Sequence, residues 1–281
     1  MKMTKEELAE INIGENLDAL MNLDPRGYGV CRILYAGSRA YTGEPVAMHA
    51  AKQLVNTVKA GDVVFLITGF VLRPHKVPEM DGIVSTVLLA RALVQAFDAK
   101  PVIICPELNK KAVIKMAPVV GLHCYEDLEL VEELPVSMGV ISFTTDQNKA
   151  EQQAEEIINR RLPSAVVAIE APGANSKGEY HNSLGVNVTE LEAKTDVLFQ
   201  KLKEKGVLNI AIGDLGNETG MGSIADHIQR YIPFTAEGQC QCQCHGGILA
   251  ATKADHIITA TVSDWGCYAM MAALAYLKKR S

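Results

Sequence analysis

The sequence predicts an α/β protein, a three-layer αβα sandwich built on a largely parallel central sheet. Two observations point there first. Short runs rich in Val, Ile and Leu recur along the chain, and each is followed by a stretch with helical periodicity. The runs are apolar at consecutive positions rather than alternating, as expected of strands buried on both faces of a sheet. A third observation is local. The run Leu208–Ile212 ends in Gly-Asp-Leu-Gly-Asn-Glu-Thr-Gly-Met-Gly (213–222), which places Asp214 and Glu218 among Gly213, Gly216, Gly220 and Gly222. Ligands of such folds bind beyond the carboxyl ends of strands, where loops meet helix N-termini.

The elements follow in order. A polar amphipathic helix is expected over Lys5–Asn22 and a second helix over Pro45–Lys59, ahead of a strand at Val63–Thr68. The helix Ile83–Phe97 carries an apolar face of Val84, Val87, Leu88, Ala90, Leu93 and Val94. Strand Val102–Cys105, helix Lys110–Val120, strand Val140–Phe143 and helix Lys149–Arg161 come next. Strand Ala165–Ile169 opens onto the longest irregular stretch, Pro172–Val188, and long loops in compact domains are often functional. Helix Thr189–Lys205, strand Leu208–Ile212, helix Ile224–Tyr231, strand His256–Ala260 and helix Trp265–Lys279 complete the series. No repeat or low-complexity linker interrupts it. Residues 1–45 are read as an N-terminal helical segment outside the sheet, and 46–281 as one α/β domain.

Composition narrows the function classes. The chain has 281 residues, 48% hydrophobic and 21% charged, enough to bury a sizeable core and far from disordered. A formal net charge of −6 argues against a nucleic-acid binder, since no basic stripe exists to neutralise phosphates. The basic cluster Lys278-Lys279-Arg280 is read as solvating a helix end. No apolar run approaches the length of a bilayer span, and the N-terminus lacks signal-peptide character. Seven cysteines without a disulfide-framework spacing suit a reducing compartment, so a cytoplasmic location is expected.

Four segments stand at the ends of candidate strands. Thr68-Gly69-Phe70 leads through Glu79-Met80-Asp81-Gly82 into the helix at Ile83, where Asp81 is a natural helix cap. Ile169-Glu170-Ala171-Pro172 ends an apolar strand in a carboxylate, which is costly unless it is paired, ligated or at the rim. The third is the Asp214/Glu218 turn. The fourth, Val262-Ser263-Asp264-Trp265-Gly266, holds the single tryptophan. Parallel strands bring all their carboxyl ends to one edge, so these carboxylates converge. Such a cluster repels itself without a cation, and carboxylate donors favour Mg²⁺ or Mn²⁺ over zinc.

At these residues the chain resembles the D-glutamate cyclase C-terminal-like family. Residues 213–222 are similar to its signature Gly-Asp-Gly-Gly-Asn-Glu-x-Gly-Met-Gly. Thr68-Gly69-Phe70 with Glu79-Met80-Asp81-Gly82, Ile169-Glu170-Ala171-Pro172-Gly173 and Val262-Ser263-Asp264-Trp265-Gly266 resemble its Thr-Gly-Phe…Glu-Thr-Asp-Gly, Ile-Glu-Arg-Pro-Gly and Val-Ser-Asn-Trp-Gly. The resemblance covers about residues 45 to 280. Ala171 stands where the family has arginine, Leu215 where it has glycine, and Asp264 where it has asparagine. The resemblance implies a metal-dependent hydro-lyase that converts D-glutamate, or a related small acidic metabolite, to 5-oxo-D-proline with loss of water. Asp214 and Glu218 are the expected metal ligands, with Mn or Mg as cofactor. Asp81, Glu170 and Glu79 are the expected catalytic carboxylates. Thr68, Gly69, Asn217, Ser263, Asp264 and Trp265 are expected to bind substrate. Two alternatives remain: a Mn/Mg-dependent phosphoesterase using the same acids, and a non-catalytic small-molecule binding domain. The partner expected is the small acidic metabolite, with no nucleic acid and no membrane, and self-association into a homo-oligomer is left open.

Two features lie outside this scheme. Cys240-Gln241-Cys242-Gln243-Cys244-His245 reads as a strand with small thiols on its inner face, with zinc or redox chemistry as the alternative. His75 and His181 fall in polar loops near the expected site, where each is either solvated or an acid, base or phosphate contact.

Overall fold

The structure is a computed structural model and describes residues 3–279. In chain order, α1 (Lys5–Met21), α2 (Val30–Thr42) and α3 (Val46–Thr57) precede β1 (Val63–Thr68). A short hairpin, β2 (Val71–Leu72) and β3 (Val77–Pro78), leads to α4 (Ile83–Phe97). Then come β4 (Lys100–Pro106), α5 (Glu107–Met116), β5 (His123–Tyr125), α6 (Leu128–Glu133), β6 (Ser137–Phe143) and α7 (Gln147–Arg160). The remainder is β7 (Ala165–Ile169), α8 (Thr195–Glu204), β8 (Leu208–Gly213), α9 (Ala225–Tyr231), β9 (His256–Thr259) and α10 (Ser263–Lys278).

Seven strands form one sheet in the order β5-β6-β4-β1-β7-β8-β9. Every neighbouring pair in it is parallel. The helices cover both faces, which is the expected three-layer sandwich. Along β1 the side chains divide by parity, as a two-residue strand period requires. Val64 and Leu66 join a core with α3, α4 and α10, while Val63, Phe65 and Ile67 join a second core with α7 and α8. Both faces being buried explains why the strands read as unbroken apolar runs.

Several elements differ from the sequence reading. Helix α2 was not expected, because Gly37 and Ser38 in its interior lower helix propensity. Gly37 is there for close packing: a Cβ at this position would lie 2.6 Å from the His227 ring on α9. The edge strand β5 has only three residues, too few for a periodicity to register. Helix α8 starts at Thr195 rather than Thr189, since 189–194 form an irregular segment that is buried only over its last three residues. On α4 the buried face includes Ile83 and Leu89, whereas Val84 and Leu88 are only partly covered. Cys240–Cys244 is a succession of turns and not a strand. Its cysteines are half-buried, with Gln241, Gln243 and His245 exposed. Among the described residues no helix is long and apolar enough to cross a membrane. Arg280 of the terminal basic cluster lies outside the described residues.

Candidate active site

The sheet order has a switch point between β1 and β7. From β1 the chain proceeds outward to β4 and β6, then returns to lay β7 on the other side of β1 and continues to β8 and β9. Connections leaving the carboxyl ends of β1 and β7 therefore diverge and leave a crevice, the usual ligand position of open α/β sheets. The acids read from the sequence gather there. One carboxylate oxygen from each of Asp81, Glu170 and Asp214 lies within 4.8 Å of the other two.

Each acid is held by the local chain. Glu170 directly follows β7 at φ +45°, a left-handed conformation that is uncommon for a residue with a side chain. Its backbone is fixed on both sides, N–H to the Ile212 carbonyl (3.1 Å) and carbonyl from the Gly69 N–H (3.1 Å). Its Oε2 accepts a 2.5 Å bond from the Ser263 hydroxyl. Gly82 makes this approach sterically feasible, because a Cβ there would sit 2.5 Å from Glu170 Cβ.

Asp81 and Asp264 cap each other's helices. Asp81 accepts the N–H groups of Ser263 (3.1 Å) and Asp264 (2.8 Å) at the start of α10. Asp264 accepts those of Gly82 (2.9 Å) and Ser85 (3.1 Å) at the start of α4. Asp81 was expected to cap its own helix; it caps α10 instead, and the exchange ties two distant segments together at the crevice. The Asp264 departure from asparagine is compatible with this role, since either side chain offers the accepting oxygen.

Glu218 has a different task from Asp214. Its Oε1 accepts the N–H groups of Asp214 (2.9 Å) and Leu215 (2.7 Å), and Oε2 that of Gly216 (2.6 Å). Both oxygens are thus committed to shaping the loop that presents Asp214. Gly213 is required by the same contact, because a Cβ would lie 2.8 Å from the Glu218 carboxyl carbon. Expected from the sequence as a metal ligand, Glu218 is not among the three acids whose oxygens converge.

Burial and mutual repulsion raise the acids' proton affinity. Burial, then the charges of Asp214 and Glu218, holds Glu170 well above the usual carboxylate range. Burial followed by the Glu218 and Asp81 charges does the same for Asp214. Asp81 is raised chiefly by burial, against the helix N–H groups that favour its charged form. Glu79 is pushed up to about 7 by burial and by Asp81. An all-oxygen donor set in which burial and mutual repulsion disfavour the charged forms is what a hard dication would neutralise.

The acids open onto a cavity of about 420 Å³. Glu79, Asp81, Glu170, Asp214 and Asn217 line it. Thr68 is buried beside it with its hydroxyl unpartnered, and Asn217 donates to the His181 carbonyl (3.0 Å) while its own Oδ1 has no partner. Gly69 adopts φ +114° and faces Asn109 rather than the cavity. Ser263 touches Glu170, but Trp265 packs against the apolar core and lines a separate groove with Leu17 and Met21. His75 is exposed, and His181 is buried against the cysteines.

Sequence reasoning did not single out three further cavity residues. Arg26, between α1 and α2, and Arg73, in the hairpin, bring positive charge to an acidic site. Glu192 lies in the irregular segment that had been read as helix, accepts the Val71 N–H and is pushed up to about 8 by burial. The signal for the arginines is spatial, since both come to line the cavity only in the folded chain. For Glu192 it was the buried Lys194 two residues on, which donates to the carbonyls of Thr189 and Glu192.

Comparison with known proteins places the chain in a family. Over 114 residues, 40% of the chain, the sequence is 35% identical to "D-glutamate cyclase, mitochondrial" of Homo sapiens, and this stretch spans 17% of that protein's length. A family model described as "D-glutamate cyclase-like, C-terminal" matches residues 17–281, which include every acid described above. The chain belongs to the D-glutamate cyclase-like, C-terminal family.

Proposed function

We propose that the chain is a lyase that closes D-glutamate, or a related small acidic metabolite, to 5-oxo-D-proline with loss of water. The observation that carries the reading is the convergence of Asp81, Glu170 and Asp214 at the switch-point crevice, in a member of this family. The donor set and the unpartnered buried oxygens of Thr68 and Asn217 beside it fit a hard divalent cation, Mn²⁺ or Mg²⁺. Asp81, Glu170 and Asp214 would hold that ion, which supplies Lewis-acid polarisation of the substrate's γ-carboxyl group.

The reaction forms a bond between the α-nitrogen and the γ-carboxyl carbon and breaks one carbon–oxygen bond. The ammonium nitrogen gives up two protons, and the departing oxygen takes up two as water. Glu79, with a proton affinity near neutrality, is suited to accept a proton from nitrogen and return it to oxygen. Glu192 is a second reservoir at the same wall. Arg26 and Arg73, which line the same cavity, would meet the substrate carboxylates, a role that the uncharged methyl group of Ala171 cannot take. The N-terminal segment then contributes to the site through Arg26.

Purified protein with Mn²⁺ or Mg²⁺ should convert D-glutamate to the lactam far faster than L-glutamate, and Asp214→Asn should abolish the conversion. Asp214-dependent turnover of a phosphomonoester without lactam formation would replace this reading with a phosphoesterase. Binding of D-glutamate without turnover would leave a non-catalytic domain.

A further inference from the structure

Away from the acidic crevice, the turns at Cys240–Cys244 fold three thiols around the imidazole of His181. The sulfurs of Cys240 and Cys242 are 3.7 Å apart, those of Cys240 and Cys244 3.6 Å, and those of Cys242 and Cys244 3.1 Å. His181 Nε2 is 3.1 Å from the Cys242 sulfur and 3.6 Å from that of Cys244. All four donor atoms fit within 4.8 Å of one another, and the three thiols are free. A tetrahedral zinc ion with Zn–S of about 2.3 Å and Zn–N of about 2.0 Å sets its ligands roughly 3.5–3.8 Å apart. The observed spacings approach those edges and greatly exceed the roughly 2.05 Å of a disulfide.

We propose that Cys240, Cys242, Cys244 and His181 form a structural zinc centre. The surroundings are those of a thiolate site. The Gly246 N–H (3.3 Å) and the Asn175 side-chain amide (3.5 Å) both point at the Cys244 sulfur. The Asn175 side-chain amide also lies 3.5 Å from His181 Nδ1, while Nε2 faces the sulfurs. Four protein ligands complete a tetrahedron and leave no open position, so the role is structural and not catalytic.

The centre joins two loops about sixty residues apart in sequence, and one of them is a wall of the crevice. Asn182, Ser183 and Leu184 follow His181 directly and line the acidic cavity. Gln241 clasps the same wall, its N–H to the Gly185 carbonyl and its side-chain amide to that of Leu184, each at 2.9 Å. The His181 carbonyl in turn receives the Asn217 amide from the loop that presents Asp214. Zinc at this position would hold one side of the cavity in register with the acids without touching substrate.

The test is metal analysis of the full chain purified under reducing conditions without chelator, followed by replacement of the metal with Co²⁺. Wild-type protein should carry one zinc per chain, and the cobalt form should show thiolate-to-cobalt charge transfer with the intense visible bands of a tetrahedral ion. Cys240→Ser/Cys244→Ser and His181→Ala should lose the zinc, while His181→Cys, which keeps four ligands, should retain it. Asp214→Asn should keep full zinc, which separates this centre from the acidic site. Zinc-free wild-type protein from zinc-supplemented cells, with no cobalt spectrum on reconstitution, would overturn the proposal. So would a two-proton mass deficit that vanishes on reduction, since it would assign the thiols to a disulfide.

Discussion

Glu218→Gln tests the division of labour between the two carboxylates of the signature loop. The side chain is buried, and its two oxygens accept three backbone N–H groups at 2.6–2.9 Å. Glutamine keeps one accepting oxygen, enough for Asp214 and Leu215, but turns an NH₂ group toward the Gly216 N–H. One charge-assisted bond is lost and two others lose their charge, each such bond being worth about 1.5–3 kcal/mol. Relief of the Glu218 charge on Asp214 and Glu170 offsets part of this, so a net loss of at most about 3 kcal/mol follows, or a fall in Tm of up to roughly 6–12 °C for a domain of this size. Asp214→Asn has the opposite sign. It replaces a buried carboxyl group, whose charged form is opposed by burial and by Glu218 and Asp81, with a neutral amide, so without a dication the variant should melt at or above wild type. Melting curves should be recorded in buffer freed of Mn²⁺ and Mg²⁺, and again with Mn²⁺ added. Wild type should gain Tm with Mn²⁺, Asp214→Asn should not, and Glu218→Gln should start lower yet still respond. If Glu218→Gln instead melts like wild type without metal and fails to respond to Mn²⁺, Glu218 is a ligand and the loop argument is refuted.

Other outcomes follow from the same geometry. Glu79 takes up a proton on folding, because its folded value of about 7 lies above its ordinary 4.5. Its contribution to stability is full below pH 4.5 and is lost as pH rises through about 7, so dication-free protein should lose stability across that window while Mn²⁺ affinity, read by calorimetry, increases. Asp264→Ala removes the acceptor for two N–H groups of α4 and should cost about 1 kcal/mol in urea denaturation, whereas Asp264→Asn should be close to neutral. Arg73→Met should raise KM for an anionic substrate by roughly tenfold with a smaller change in kcat, the expected loss of one charge-assisted contact.

Much of the fold was legible because its cause is local. Strands buried on both faces must be apolar throughout, and β1, β7 and β8 announced themselves in that way. The acids stood out for the complementary reason: Glu170 and Asp214 end strands where an unpaired charge is costly, and parallel strands send such residues to one edge. Sequence by itself thus determined the sandwich, the sheet edge and the residue types of the candidate site. What each acid does was decided by contacts across the chain. Asp81 caps α10 and not its neighbouring helix, and Glu218 turns back on its own loop, because these depend on where a segment 182 residues away and three backbone amides come to lie. Arg26 and Glu192 reach the cavity only once α2 and the irregular segment before α8 have packed. Cys240, Cys242 and Cys244 alternate in sequence like one face of a strand, and that period misled. Turns brought the thiols together, and His181, which no spacing rule connects to them, closed the set, since ligand geometry is a property of space and not of the chain.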